Sequence, residues 1–176
     1  MKATNLLYLL PTAVVIILDQ LTKIWIRSAM QLGKSIPIFG QDFFRLSHVE
    51  NVGVAFGMKA GPPFFLIIFT SIASLFIAYL ILAAAKPGSL AEPPLVRFSL
   101  SLILGGAIGN LIDRIIFGRV TDFLDFDFPD FIMNRWPVFN AADSAVTIGV
   151  TLWCLFLIFG RRATISESDN ASPHGA

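Results

Sequence analysis

The sequence predicts an integral membrane protein, an all-α bundle of four spanning helices with a small β-rich element between helices. Three observations lead to this fold class. The 176 residues are 55% hydrophobic and only 14% charged, whereas about a quarter of the residues of an ordinary soluble domain are charged. Four apolar segments are each long enough to cross a bilayer, which takes about 20 helical residues. The ionisable residues in three of these segments gather toward one end.

The four apolar segments define the predicted helices. They cover about residues 5–27, 64–85, 96–117 and 138–160. The second, FFLIIFTSIASLFIAYLILAAA, has no charged residue and is the clearest span. The first could be a secretory signal peptide, but no small-residue cleavage site follows it, and the polar residues Asp19, Gln20 and Lys23 lie where its apolar run should end. We therefore interpret it as a permanent span.

The two longer connecting segments differ in chemistry. Residues 28–63 are too many for a simple turn and include FFRLSHVENVGVAFG, in which apolar and polar residues first alternate. This pattern predicts a strand-rich element with Gly53 and Gly57 at turns or bulges. Residues 118–137 are acidic and aromatic, and their Phe and Trp side chains suit a loop at the membrane interface.

Composition excludes several other classes of protein. The net charge is +1 and the basic residues form no stripe, so we predict no nucleic-acid partner. Cys154 is the single cysteine, so the chain has no disulfide framework of its own, and no zinc-type spacing is present. We expect neither a metal nor a cofactor. Residues 1–162 are predicted to form one domain, followed by a disordered polar tail over 163–176.

Polar residues within three spans are predicted to meet at one membrane face. Successive spans run in opposite directions, so the C-terminal ends of spans one and three lie on the same side as the N-terminal end of span four. Those ends carry Asp19 and Lys23, then Asn110, Asp113 and Arg114, and finally Asn140 and Asp143. Spacings of three or four residues place the members of each set on one face of their helix. The sequence therefore predicts one polar site near one surface of the bilayer.

Ionisable residues inside a membrane span are functional candidates by default, but some have a structural explanation. Asp19 with Lys23, and Asp113 with Arg114, are close enough in sequence to form structural ion pairs. Asp143 has no basic residue three or four positions away, which favours a functional role. The acids of the second long connection are interpreted as solvated or metal-attracting loop residues. These acids are Asp122, Asp125, Asp127 and Asp130.

The residue types available limit the chemistry. The histidines are His48 and His174, the motifs GxSxG and HExxH are absent, and Cys154 lies deep in a span. Carboxyl groups, in contrast, are abundant. Two facing carboxyl groups can share one proton, so that one draws a proton from water while the other polarises a carbonyl. This favours an aspartic hydrolase working at a membrane surface.

A small four-span transporter is the alternative hypothesis. Asp19, Asp113 and Asp143 would then relay protons or bind a cation. Such a protein needs polar residues through the whole depth of the bilayer, and the second span offers few. They are Thr70, Ser71, Ser74 and Tyr79. A purely structural membrane scaffold is a third possibility, disfavoured by the locally unpaired Asp143.

Five motifs resemble those of the bacterial lipoprotein signal peptidases, the signal peptidase II family. They are DQLTK (19–23), VENVGVAFG (49–57), GGAIGNLIDR (105–114), GRVTDFLDF (118–126) and FNAADSA (139–145). Each motif alone is a weak signal. All five in this order on four spans make a specific one, and only the tail lies outside the resemblance.

The resemblance implies a membrane aspartic endopeptidase. It would cut the signal peptide from prolipoproteins just before a diacylglyceryl-modified cysteine, with membrane lipids around it and as a monomer. Its catalytic dyad would be Asp122, in the V-x-D-F motif, and Asp143, in the F-N-x-A-D motif. Further residues would line the site and hold the substrate or the dyad, namely Asn51, Asn110, Arg114 and Asn140. Supporting residues would be Asp19, Lys23 and Asp113.

The resemblance also implies an orientation. The protein would span the bacterial cytoplasmic (inner) membrane several times, with both termini in the cytoplasm and the β-rich element and active site toward the outer face. The basic residues predict the opposite, because five of the 13 lie on the side of the termini and the rest on or toward the other side. We adopt the orientation that the resemblance implies.

Overall fold

The computed structural model describes residues 7–40, 43–53, 63–83, 93–127 and 135–160. Within these ranges the chain forms four α-helices and three β-strands. In order they are α1 (Leu10–Ala29), β1 (Ser35–Phe39), β2 (Phe44–Asn51), α2 (Pro63–Ala83), α3 (Pro94–Phe117), β3 (Val120–Phe126) and α4 (Ala141–Leu155), which continues as a π-helical turn over Phe156–Gly160. The predicted mostly helical architecture with a small sheet is confirmed.

Three helical segments are long and apolar enough to cross a membrane. They are Phe64–Ala83, Pro94–Phe117 and Ala141–Gly160. Helix α1 has 20 residues, but it carries three charged side chains, Asp19, Lys23 and Arg27. Asp19 and Lys23 are fully buried inside the protein, so their charges are not exposed on the outer surface of the bundle. The crossing of the membrane by α1 stays a prediction.

Helix α3 lies at the centre of the bundle and packs against α1, α2 and α4. Its small residues permit this close arrangement. A Cβ atom on Gly105 would lie 2.7 Å from Val15 of α1, and one on Gly106 would collide with Ala142 of α4. The helix ends at Phe117 because Gly118 adopts a left-handed conformation, with φ of 71°.

The three strands form one antiparallel sheet in the order β1–β2–β3. Val49 of β2 lies opposite Asp122 of β3, and the register shifts between Leu46 and Val49. This irregularity is the bulge of β2. Gly53 lies at a bend just after β2, where its amide donates to Asn51 Oδ1 at 2.9 Å, as predicted for a turn. Gly57 lies outside the described residues. The sequence correctly predicted strands in the first connection. It did not predict β3, which occupies part of the expected acidic loop over 118–137.

Two apolar clusters fix these elements to one another. Ile81 of α2 packs with Val96, Leu100 and Leu104 of α3. At the C-terminal end of α1, Ile26 and Met30 pack with Phe123 of β3. The second cluster seats the sheet on the end of α1, next to the first turn of α4. The sheet and the ends of three helices thus surround one region.

Candidate active site

Asp143 lies in the first turn of α4, three residues after the N-cap residue Asn140. The Asn140 side chain accepts a hydrogen bond from Asp143 N at 2.9 Å, and Asp143 Oδ2 accepts one from Asn140 N at 3.2 Å. This reciprocal capping box explains why α4 begins at Ala141, although the apolar run starts at 138. Asp143 Oδ1 accepts a further bond from Asn110 Nδ2 at 2.8 Å. Both carboxyl oxygens therefore have a donor.

Asp122 reaches the same region from β3. Its Oδ1 accepts a hydrogen bond from Asn140 Nδ2 at 2.7 Å, and its Oδ2 accepts one from Asn51 Nδ2 at 3.1 Å. The residue is only 3% exposed. Asn140 thus bonds to both aspartates, and the residues that the resemblance assigned to a dyad share one amide side chain.

Burial raises the pKa of Asp122 to about 7, and the negative charge of Asp143 acts in the same direction. The hydrogen bonds from Asn51 and Asn140, and the charge of Lys23, lower the pKa of Asp122 but do not offset these effects. The arrangement can therefore hold a proton on Asp122 near neutral pH. Such a carboxyl group can act as an acid, as catalysis by paired carboxyl groups requires.

Lys23 of α1 connects the region around Asp122 and Asp143 to α3. Its Nζ atom lies 2.8 Å from Asp19 Oδ2 and 3.4 Å from Asp113 Oδ2, and it donates to Asn110 Oδ1 at 2.8 Å. Lys23, Asp19 and Asp113 are fully buried. Because Asn110 donates a hydrogen bond to Asp143, the lysine orients a residue that contacts Asp143. A buried cation between two carboxylates also keeps the cluster close to neutral.

The two acids of this cluster each hold one of the elements that carry Asp122 and Asp143. Asp19 Oδ1 accepts a hydrogen bond from the Ala142 amide at 3.0 Å, next to Asp143. Asp113 Oδ2 accepts one from the Thr121 amide at 3.0 Å, next to Asp122. The supporting acids therefore fix the main chain beside each aspartate.

One expected ion pair does not form. Asp113 pairs with Lys23 and, at 3.5 Å, with Arg27, whereas Arg114 forms no ion pair in the described part of the chain. Adjacent residues on a helix point in directions about 100° apart, so Asp113 turns inward and Arg114 lies half-buried elsewhere. The charges of Asp143, Asp122 and Asp113 all act on Arg114, which places its guanidinium group near these acids without an ion-pair contact. The interpretation of Asp19 and Lys23 as an ion pair is confirmed.

Three residues in this network had no role assigned from the sequence. Gln20 Nε2 donates to Gly109 O at 3.1 Å and also bonds to Asp19 and Asp113. Arg27 and Thr121 bond to each other. Gln20 and Arg27 were detectable by spacing, since Gln20 lies beside Asp19 and Arg27 falls one helical turn after Lys23. Thr121 gave no signal.

The other acids of the second long connection have different partners. Asp125 Oδ1 accepts a hydrogen bond from Arg135 Nε at 2.7 Å, and Asp127 Oδ2 one from Arg135 at 3.3 Å. Ser47 donates to Asp125. These contacts correct the prediction of solvated or metal-attracting acids for Asp125 and Asp127, while Asp130 lies outside the described residues. Among the residues that the structure covers, no group of three metal-ligating side chains is arranged to hold an ion.

Comparisons with known proteins identify the family of the chain. The family model of signal peptidase II matches residues 11–159. The lipoprotein signal peptidase of Shouchella clausii is 46% identical over 149 residues, which cover 84% of this chain and 91% of that protein. The corresponding protein of Moorella thermoacetica is 43% identical over 153 residues, covering 86% and 92%.

Two solved structures of bacterial membrane enzymes, both obtained by the in meso method, have the same fold. One, at 2.3 Å resolution, aligns with a TM-score of 0.72 at 30% identity and covers 100% of this chain and 96% of its own. The other, at 1.9 Å, aligns with a TM-score of 0.71 at 32% identity and covers 90% and 95%. From the sequence match and the shared fold together, the chain belongs to the signal peptidase II family.

Proposed function

We propose that Asp122 and Asp143 are the catalytic dyad with which this membrane aspartic peptidase removes signal peptides from prolipoproteins. The observation that carries the proposal is Asn140, whose side chain donates to Asp122 and accepts from the Asp143 amide. The substrate is a diacylglyceryl-modified prolipoprotein, cut just before the lipidated cysteine. Membership in the family supports peptidase activity and does not support the transporter alternative.

The environment of each aspartate suggests its role. Asp143 receives a donor on each oxygen and lies at a helix N-terminus, where backbone amides stabilise negative charge. Asp122, with a pKa of about 7, carries the shared proton. Asp143 then draws a proton from a water molecule, whose oxygen attacks the scissile carbonyl carbon, while Asp122 donates to the carbonyl oxygen. When the tetrahedral intermediate collapses, the C–N bond breaks, Asp143 gives its proton to the departing amine, and Asp122 takes back a hydroxyl proton as the carboxyl product forms.

The surrounding residues divide into three groups in this proposal. Asn51 and Arg114 lie near the dyad with polar groups that can hold the substrate peptide, while Asn110 and Asn140 orient the carboxyl groups. Asp19, Lys23 and Asp113 support the site from beneath through the contacts to Ala142 and Thr121. No metal is required, so a chelator is expected to leave cleavage intact.

The membrane arrangement is also proposed. Residues 1–162 form one four-span domain, monomeric and in contact with membrane lipids, and 163–176 form a polar tail. The termini lie in the cytoplasm and the site toward the outer face of the bacterial inner membrane. For α1, support comes from apolar side chains that stay more than half exposed, such as Leu18, Leu21 and Ile24. Reporter fusions at the C-terminus test the orientation, and activity of an exclusively extracytoplasmic reporter would contradict it.

The test of the function is cleavage by purified protein in detergent. We expect the wild type to cut a diacylglyceryl-modified prolipoprotein before its lipidated cysteine, as mass spectrometry of the products would show. A precursor with serine in place of that cysteine is the matched control and should stay uncut. Asp143→Asn should insert and fold but not cleave, because asparagine cannot accept the proton of the attacking water. An inactive but well-folded wild type would overturn the proposal.

A further inference from the structure

Arg27 and Thr121 form a contact that the proposed catalytic roles leave unused. Arg27 is in the last turn of α1, and Thr121 directly precedes Asp122 on β3. Arg27 Nη1 donates to Thr121 Oγ1 at 2.9 Å. The guanidinium group also lies 3.5 Å from Asp113 Oδ2 and 4.6 Å from the centre of the Phe117 ring. With its side chain only 21% exposed, Arg27 has a fixed position between α1, α3 and β3.

Thr121 has a partner for each of its polar atoms. Its amide donates to Asp113 Oδ2 at 3.0 Å, its carbonyl oxygen accepts from Asn140 Nδ2 at 3.3 Å, and its hydroxyl accepts from Arg27. The residue is 4% exposed. Thr121, the residue directly before Asp122, is therefore held by three hydrogen bonds to three different residues. Two of these partners bond to the main chain and are independent of the Thr121 side chain, whereas the Arg27 contact depends on the hydroxyl group.

We propose that Arg27 is a positioning residue for Asp122 and acts through the hydroxyl group of Thr121. The hydrogen bond sets the position of β3 relative to α1, and hence that of the Asp122 carboxyl group relative to Asn140 and Asp143. This inference rests on the proposed function, in which Asp122 belongs to the dyad. In that function, neither Arg27 nor Thr121 contacts the reacting atoms. Small displacements of a catalytic group lower the rate of the chemical step more than they lower substrate binding.

Two substitutions at Thr121 separate the hydroxyl group from the shape of the side chain. Thr121→Val keeps the branched shape that a strand favours and removes only the acceptor for Arg27. Thr121→Ser keeps the acceptor and removes a methyl group. In the prolipoprotein cleavage assay we expect Thr121→Val to lower kcat about ten-fold with KM changed less than about two-fold. Thr121→Ser should retain most of the wild-type kcat.

Arg27 itself gives a second measurement. Arg27→Met should also lower kcat, and in the double variant with Thr121→Val the two effects should combine to less than their product, because both break the same contact. Arg119→Met is the matched control. Arg119 is 50% exposed, pairs with Glu50 at 3.1 Å and precedes the same strand, so its loss should leave kcat unchanged. Thermal unfolding of every variant would verify that it folds.

The outcomes distinguish this inference from the function on which it rests. A wild-type protein that cleaves, together with a Thr121→Val variant of equal kcat, would overturn the positioning role alone. Equal losses in Thr121→Val and Thr121→Ser would also overturn it, since packing rather than the hydroxyl group would then matter. A folded wild type without cleavage activity would overturn both the function and the inference.

Discussion

Two carboxyl groups on strand β3 lie three residues apart and have opposite properties. Asp122 and Asp125 are each 3% exposed, although Asp122 lies much deeper in the protein and is therefore more strongly desolvated. Asp122 is bonded by the amides of Asn51 and Asn140 and faces the negative charge of Asp143. Burial and that charge raise its pKa to about 7. The hydrogen-bond donors of Asp122 thus carry no positive charge, a second acid lies close by, and the charge of Lys23 has only a smaller, opposing effect.

The region around Asp125 contains cations instead. Arg135 donates to one carboxyl oxygen at 2.7 Å, Arg45 lies 3.5 Å from the other, and Ser47 donates to Asp125 as well. Burial raises the pKa of Asp125, but the hydrogen bonds from Arg135 and Ser47 and the two positive charges outweigh it and hold the pKa below its usual range. The partners of a buried acid, together with how deeply it lies in the protein, therefore decide whether it can exchange a proton near neutral pH.

The largest expected difference between the regions concerns catalysis. Asp122→Asn should lower kcat by about 10³-fold or more, because an amide cannot supply the proton for the scissile carbonyl. Asp125→Asn should keep kcat within about ten-fold of the wild type and mainly lower thermal stability. Cleavage of the lipidated precursor and thermal unfolding in detergent measure both quantities. Equal losses of activity at the two positions would remove the distinction.

Arg135→Met is expected to act on stability. The substitution removes the nearest cation from Asp125, while Arg45 and Ser47 keep their contacts. We expect a loss of about 1–3 kcal/mol, which corresponds to a fall in Tm of about 2–12 °C. Because the folded-state pKa of Asp125 is lowered, its contribution is present at neutral pH and disappears as the pH falls through that pKa. The Tm difference should therefore shrink in acid, and a difference that grew there would contradict this assignment.

The smallest expected effect is a shift in pH dependence. Wild-type activity should fall as the pH rises through about 7, because Asp122 then loses its proton. The hydrogen bond from Asn51 lowers the pKa of Asp122, so Asn51→Leu should move this decline upward by about half to one pH unit. Glu50→Gln, on the same strand but paired with Arg119, is the control. A decline that stays in place in Asn51→Leu, or moves downward, would contradict the proposed protonation of Asp122.

The sequence predicted the helices well because their signal is local. Length and apolar character mark α2 and α3 to within two residues at each end. The convergence of Asp19, Asn110 and Asp143 followed from alternating span directions alone, and the structure brings these residues into one network.

Strand β3 and the identity of the proposed dyad could not be predicted from local sequence patterns. Asp122 pairs across the sheet with Val49, more than 70 residues earlier, and such non-local pairing leaves little trace in a short acidic segment. Nothing local separated Asp122 from Asp125, and only the resemblance to a family did so. The partners that distinguish them, Asn140 and Arg135, lie on the far side of an aromatic connection.

The most direct test is the protonation state of Asp122 itself. Infrared difference spectroscopy of purified protein between about pH 5 and pH 9 would follow the absorption of protonated carboxyl groups. We expect a band that disappears as the pH rises through about 7, is absent from Asp122→Asn and persists in Asp125→Asn. A band near neutral pH that survives in Asp122→Asn, or vanishes in Asp125→Asn, would contradict the assignment of the reactive proton to Asp122.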